Sequence, residues 1–173
     1  MRQRRTPPKP GKPLYPAEQR RRRDASGWTL VQGVLAPVQF LVFLVSVFLV
    51  LRFLRSGQGE AAATASIVAK TLILYLIMVT GAIWEKVVFG RYLFAPAFYW
   101  EDVFSMAVLA LHTAYLVALA TDALGVTGRM YLALAAYATY VINAAQFLLK
   151  LRAARLQQAA LDDAAAGGMA VAQ

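Results

Sequence analysis

Between Thr80 and Phe104 the chain reads TGAIWEKVVFGRYLFAPAFYWEDVF, and five charged side chains fall within it: Glu85, Lys86, Arg91, Glu101 and Asp102. Long apolar runs flank this stretch on both sides. Carboxyls so placed sit at a water boundary, pair with a partner or do chemistry, because an isolated charge is costly in hydrocarbon. A carboxyl can give or take a proton, and a lysine or arginine can hold an anion. Phe89, Tyr92, Phe94, Phe98, Tyr99 and Trp100 accompany them. An interfacial aromatic belt accounts for these six, and so does a platform for a flat hydrophobic ligand.

The single histidine, His112, lies eleven positions beyond Glu101. On a helix that is about 16 Å of rise and a return to nearly the same direction, so Glu101, Ser105 and His112 share one face. A neutral imidazole hydrogen-bonded to Tyr140 or Asn143 is one reading of His112. An axial ligand to a metal already held in a macrocycle is another, since one histidine builds no metal site alone. Tyr137, Tyr140, Asn143, Gln146 and Lys150 fall at spacings that place most of them along one stripe. Gln32, Gln39 and Ser46 recur every seven residues on an earlier helix. Each stripe alone is explained by interhelical hydrogen bonds, but two on different helices point to an internal polar cleft. Lys70, expected near the end of a span, is read as snorkelling to the interface and carries no role.

The elements that must position these groups are helices. Four apolar runs, near Trp28–Phe53, Ser66–Val87, Val103–Thr121 and Met130–Leu149, each approach the ~20 residues that cross a hydrocarbon core. RSGQGEAAATA, GRYLFAPAFYWED and DALGVTGR connect them. Short connections predict an all-α, up-down-up-down four-helix membrane bundle. The chain divides into a basic disordered tail (1–25), the transmembrane domain (26–152) and an Ala-rich flexible end (153–173).

Of 173 residues, 60% are hydrophobic and only 16% charged, well below the charge of a soluble domain. No cysteine is present, so disulfides, thiolate metal sites and Cys nucleophiles are excluded. The net charge of +9 is concentrated before Asp24, where nine of the 18 basic residues lie. A block such as Arg20–Arg23 ahead of a hydrophobic span reads as an orientation signal and a contact for anionic lipid rather than for nucleic acid. Fourteen basic residues lie on the side of the two termini and the central connection, against Arg52, Arg55 and Arg129 on the other. Both termini are therefore expected in the cytoplasm, with the protein in the cytoplasmic or intracytoplasmic membrane. No phosphate loop, Ser-His-Asp arrangement, dinucleotide fingerprint or metalloprotease helix occurs.

The segments WTLVQGVLAPVQFLVFLVS, VTGAIWEKVVFGRYLFAPAFYWEDVFS, ALHTAYL and YVINAAQFLLKLRAARL closely resemble the 3-vinyl (formerly 2-vinyl) bacteriochlorophyllide hydratase family of phototrophic bacteria. The likeness runs from about Leu14 to Leu156. It implies hydration of a C3 vinyl group on a magnesium chlorin, giving a 1-hydroxyethyl group for bacteriochlorophyll synthesis. No cofactor is implied, the magnesium belonging to the substrate.

On that implication Glu101 or Glu85 supplies the proton and Asp102 orients water. Lys86 and Arg91 hold the substrate's propionate, and His112 ligates magnesium or relays protons. Trp100, Tyr140, Asn143, Gln146, Gln32 and Gln39 complete the substrate contacts. Other enzymes of bacteriochlorophyll synthesis are conceivable partners, and the oligomeric state is open. A membrane protein that only binds and delivers bacteriochlorophyllide is the alternative. The adjacent acids Glu101 and Asp102 favour catalysis over it, since binding alone needs no proton donor. A small transporter fits less well, for want of broken-helix repeats.

Overall fold

A computed structural model describes residues 16–171 of the chain, with side chains described through residue 160. Five helices follow one another: α1 (Ala17–Ala25), α2 (Gly27–Ser56), α3 (Glu60–Phe89), α4 (Tyr99–Ala120) and α5 (Gly125–Val171). No strand occurs among the described residues. Helices α2 to α5 each contain a stretch long and apolar enough to cross a membrane. A backbone in hydrocarbon must satisfy its own N–H and C=O groups, and a helix does so along its whole length.

The helices outrun the apolar runs that announced them. Ala61–Ala65, expected in the first connection, belong to α3 because alanine continues a helix at no propensity cost. The turn shrinks to Gly57–Gly59, whose two glycines take φ of 68° and 87°. That left-handed backbone suits a residue without Cβ. Ala17–Ala25, expected within an unstructured tail, form α1, which packs against α3. The remainder of the basic tail, residues 1–15, lies outside the described residues. The Ala-rich end continues α5 as far as Val171.

Helix α2 lies along α3 and α4 along α5, making two hairpins. The hairpins meet where α2 faces α5 and α3 faces α4, so the four long helices close into a ring. Backbones approach closely within each hairpin and seldom across them. Side chains therefore fill the seam between the hairpins. Leu30, Leu41, Phe48, Leu72, Val79 and Leu149 project outward, while Gln39, Ser46, Lys70, Glu85, Asp102 and His112 are buried. Water would favour the reverse, and lipid favours this arrangement.

An apolar cluster around Phe43, Val50, Ile67, Tyr115, Met130 and Tyr137 packs the half of the bundle away from the α3–α4 connection. Ser46 crosses it by bonding to Ser66 Oγ at 2.7 Å and to Tyr137 Oη, joining α2, α3 and α5. Gln32, earlier in the same stripe, donates to Thr80 Oγ1 at 2.8 Å. The heptad stripe on α2 thus faces the bundle interior throughout.

Candidate active site

The α3–α4 connection, residues 90–98, builds the densest ionisable cluster. Gly90 ends α3 with φ 84°, its N–H bonding to the Lys86 carbonyl at 3.0 Å. Lys86 Nζ folds back to the Gly90 carbonyl at 3.0 Å and lies 5.3 Å from the Tyr92 ring centre. Four residues on, Phe94 adopts φ 58°, a left-handed backbone that costs a bulky residue about 1–3 kcal/mol. In that conformation the Phe94 N–H donates to Asp102 Oδ2 at 2.7 Å. The next amide, Ala95 N–H, donates to Glu85 Oε2 at 3.2 Å.

Glu85 from the last turn of α3 and Asp102 from the first turn of α4 are both buried. Held on successive amides, 2.7 and 3.2 Å from their acceptor oxygens, the two carboxyls are electrostatic neighbours. Two buried carboxyls so placed repel one another when both are ionised, which favours a proton on one of them. The pair is thus a place where a proton can be held and from which it can be given.

Glu101 is differently engaged. Its Oε2 accepts from Lys150 Nζ at 2.6 Å, closing α4 onto α5. Lys150 also lies over the Phe98 ring at 4.9 Å. Phe98 is itself buried among Trp84, Phe89 and Phe147, with ring centres 5.8 Å away in each case. Trp84 Nε1 donates to Thr29 Oγ1 at 3.0 Å and brings α2 into the group. The six aromatics of the connection therefore divide. Phe89 and Phe98 pack against each other and Trp84, whereas Tyr92, Phe94, Tyr99 and Trp100 form the exposed rim together with Lys86 and Arg91.

Deeper in the bundle, Asn143 Nδ2 donates to Ser105 Oγ at 2.8 Å. Asn143 Oδ1, Gln146 Oε1 and both amide atoms of Gln39 are buried without a hydrogen-bond partner. Two turns beyond Ser105 on α4 lies His112. Its Nδ1–H donates to the Val108 carbonyl at 2.8 Å, which leaves Nε2 as an acceptor, and Lys70 Nζ approaches Nε2 at 3.2 Å. Lys70 does not snorkel. It is fully buried, with Nζ 4.1 Å from the centre of the Tyr140 ring. Because α3 begins at Glu60 rather than Ser66, Lys70 sits about 15 Å inside the helix, beyond the reach of its side chain to the end. His112 accordingly bonds to Lys70 and Val108, with neither Tyr140 nor Asn143 as its partner, and packs on the Tyr137 ring at 5.8 Å.

The site residues thus fall into two groups along the seam. Glu85, Asp102, Glu101, Gln146 and Lys150 stand at one end, and His112, Lys70 and Tyr140 in the middle, with Gln39, Ser105 and Asn143 between them. Nothing in the side-chain pattern pointed to the amides of Phe94 and Ala95, which hold both acids. Lys150 was visible as the last member of the α5 stripe, without its partner.

An apolar exterior, and ionisable and amide side chains buried between the helices, define a multi-pass membrane protein. Residues 15–153 match the family model described as 2-vinyl bacteriochlorophyllide hydratase. A 2-vinyl bacteriochlorophyllide hydratase of Cereibacter sphaeroides is 67% identical over 156 residues, covering 90% of this chain and 96% of that protein. One of Rhodobacter capsulatus is 68% identical over 151 residues, 87% of this chain and 88% of its own length. No solved structure matches. The chain belongs to the 2-vinyl bacteriochlorophyllide hydratase family.

Proposed function

We propose that this chain hydrates the vinyl group of a bacteriochlorophyllide and that the Glu85–Asp102 pair is its proton source. The observation that carries this reading is the meeting of two buried carboxyls, one from each hairpin, on successive amides of one loop. A carboxyl transfers its proton to the terminal vinyl carbon, which becomes a methyl group. The cation left on the inner carbon is spread over the macrocycle. Water adds there and returns its second proton to the carboxylate, so that H and OH have crossed the double bond and the pair is restored. Addition of water is redox-neutral, and the magnesium remains part of the substrate.

Glu101, tied to Lys150, serves in this scheme to set the first turn of α4 so that Asp102 meets Glu85. Asn143, Gln146 and Gln39 present polar atoms without partners along the seam, suited to water or to polar substituents of the ring. The excess of basic residues on the side of the termini supports a cytoplasmic membrane location with both ends inside.

The decisive experiment supplies vinyl bacteriochlorophyllide in heavy-oxygen water to membranes containing only this chain. Mass spectrometry is expected to find a labelled hydroxyethyl product, lost in Glu85→Gln and Asp102→Asn. Normal turnover by both variants would remove the pair from the mechanism. Tight binding without turnover by the unaltered chain would favour a carrier.

A further inference from the structure

Lys70 is the buried cation that the acid–base scheme leaves unused. Its ammonium is enclosed by His112 Nε2 at 3.2 Å and by the rings of Tyr140, Tyr137 and Phe43, at 4.1, 5.3 and 5.9 Å. Among the described residues the ion pairs are Arg22–Glu18, Arg23–Asp24, Arg129–Asp122 and Lys150–Glu101, and none includes Lys70. Aromatic faces and an imidazole lone pair offset only part of the cost of taking an ammonium out of water. A carboxylate would complete the compensation.

His112 prepares the group for such a partner. Its tautomer is set by the Val108 carbonyl, so Nε2 takes one N–H of the ammonium and leaves two others. Polar atoms without partners continue from Lys70 toward the acid pair. Gln39, 2% exposed, stands one turn before Phe43 on α2 with both amide atoms unpaired. Asn143, 8% exposed, stands one turn after Tyr140 on α5 with Oδ1 unpaired. All of them lie in the seam between hairpins, where backbones seldom approach and a flat molecule can part the helices with least loss of packing.

We infer that Lys70, held by His112, is the receptor for the free carboxylate of the chlorin, placing the macrocycle lengthwise in the seam between Lys70 and the Glu85–Asp102 pair. This rests on the proposed hydration of a bacteriochlorophyllide, which as the unesterified pigment carries a propionate on a different pyrrole ring from its vinyl group. Asp102 and His112 are ten residues apart on α4, about 15 Å of rise, a gap of the order of such a ring with its substituents. The arrangement makes Lys70 a binding residue and a determinant of specificity for free acid over ester. Lys86 and Arg91 at the exposed rim are then not required to hold the propionate.

The test compares vinyl bacteriochlorophyllide with its methyl ester in membranes containing the full chain. The unaltered protein should favour the free acid in kcat/KM by about tenfold or more, as expected for a charge-assisted contact. Lys70→Gln should remove that preference by raising KM for the acid while leaving the ester unchanged. Lys70→Arg, which keeps the charge on a bulkier group, should weaken the acid several-fold and spare the ester. Equal use of acid and ester by the unaltered protein overturns the inference, whether or not a variant accumulates. So does a preference that survives in Lys70→Gln, an equal effect of Lys70→Arg on both substrates, or a preference abolished by Lys86→Gln or Arg91→Gln. Full hydration by the Glu85 and Asp102 variants would defeat the proton-donor scheme without altering this comparison, so the two readings fail separately.

Discussion

Glu85 and Asp102 come from different hairpins, yet two consecutive amides, Ala95 and Phe94, hold their carboxyls side by side. The loop that brings α3 back into the membrane as α4 is therefore also the clamp for the acids. The clamp depends on a left-handed Phe94, so the geometry of the pair is maintained against local backbone strain. Strain of this kind persists where the surrounding packing over-determines it. Here the buried Phe98, wedged among Trp84, Phe89 and Phe147, supplies that packing.

Removing either acid should abolish proton transfer without abolishing binding. Glu85→Gln and Asp102→Asn are each expected to lower kcat by about 10²–10⁴-fold, the usual contribution of a positioned acid or base. The double variant should be little worse than either single one, because the two act as a unit. Single-turnover hydration of bound substrate measures this directly, and product of the two single losses would show independent roles.

Lys150 and Glu101 should behave as a stabilising pair with a penalty for separation. Lys150→Met leaves a nearly buried carboxylate unpaired and is expected to lower the melting temperature. Its cost falls below the ~3–5 kcal/mol typical of breaking a fully buried pair, because Lys150 keeps a quarter of its side chain in contact with the surroundings. Adding Glu101→Leu to Lys150→Met should restore much of the loss. Thermal unfolding in detergent decides it, and additive losses would mean the pair is not coupled.

Gln39 is expected to trade stability for function. Both of its side-chain polar atoms are buried without partners, which costs a fold about 1–3 kcal/mol for each group so placed. Gln39→Met, similar in length and able to pack among apolar neighbours, should raise the melting temperature and lower hydratase activity. A variant that is both less stable and fully active would show that the amide is satisfied in the membrane and serves packing.

Phe94 offers a test of the strained clamp. Glycine adopts φ 58° freely, while alanine retains the penalty of a left-handed backbone, about 1–2 kcal/mol. Both lose the contact with Tyr99, whose ring centre is 5.8 Å away. Phe94→Gly should therefore melt above Phe94→Ala. Its activity should nevertheless fall below that of the unaltered chain, since a freer loop holds Asp102 less firmly. Equal melting temperatures for the two variants would mean the loop relaxes out of the left-handed conformation.

Much of this protein was determined by sequence alone, because a bilayer leaves few choices. Apolar runs of spanning length must be helices, and short connections must return them antiparallel, so the number and order of the long helices were legible. So was the inward direction of Gln32, Gln39 and Ser46, since seven-residue spacing puts all three on one face. Helix ends were less legible: Ala61–Ala65 are apolar enough to join either helix or connection, and only the glycines at 57 and 59 settle where the chain turns.

Tertiary structure decided the partners. Glu101 and Lys150 are 49 residues apart and meet because the antiparallel register of α4 and α5 brings their ends together. Lys70 passed for an interfacial residue because a hydropathy pattern places a side chain along the membrane normal and says nothing of which way it faces. The helix carries it to the inner face, opposite His112. The amides of Phe94 and Ala95 leave no trace in residue types at all, because what they contribute is backbone direction. That direction exists only once two helices and their loop have closed around Phe98.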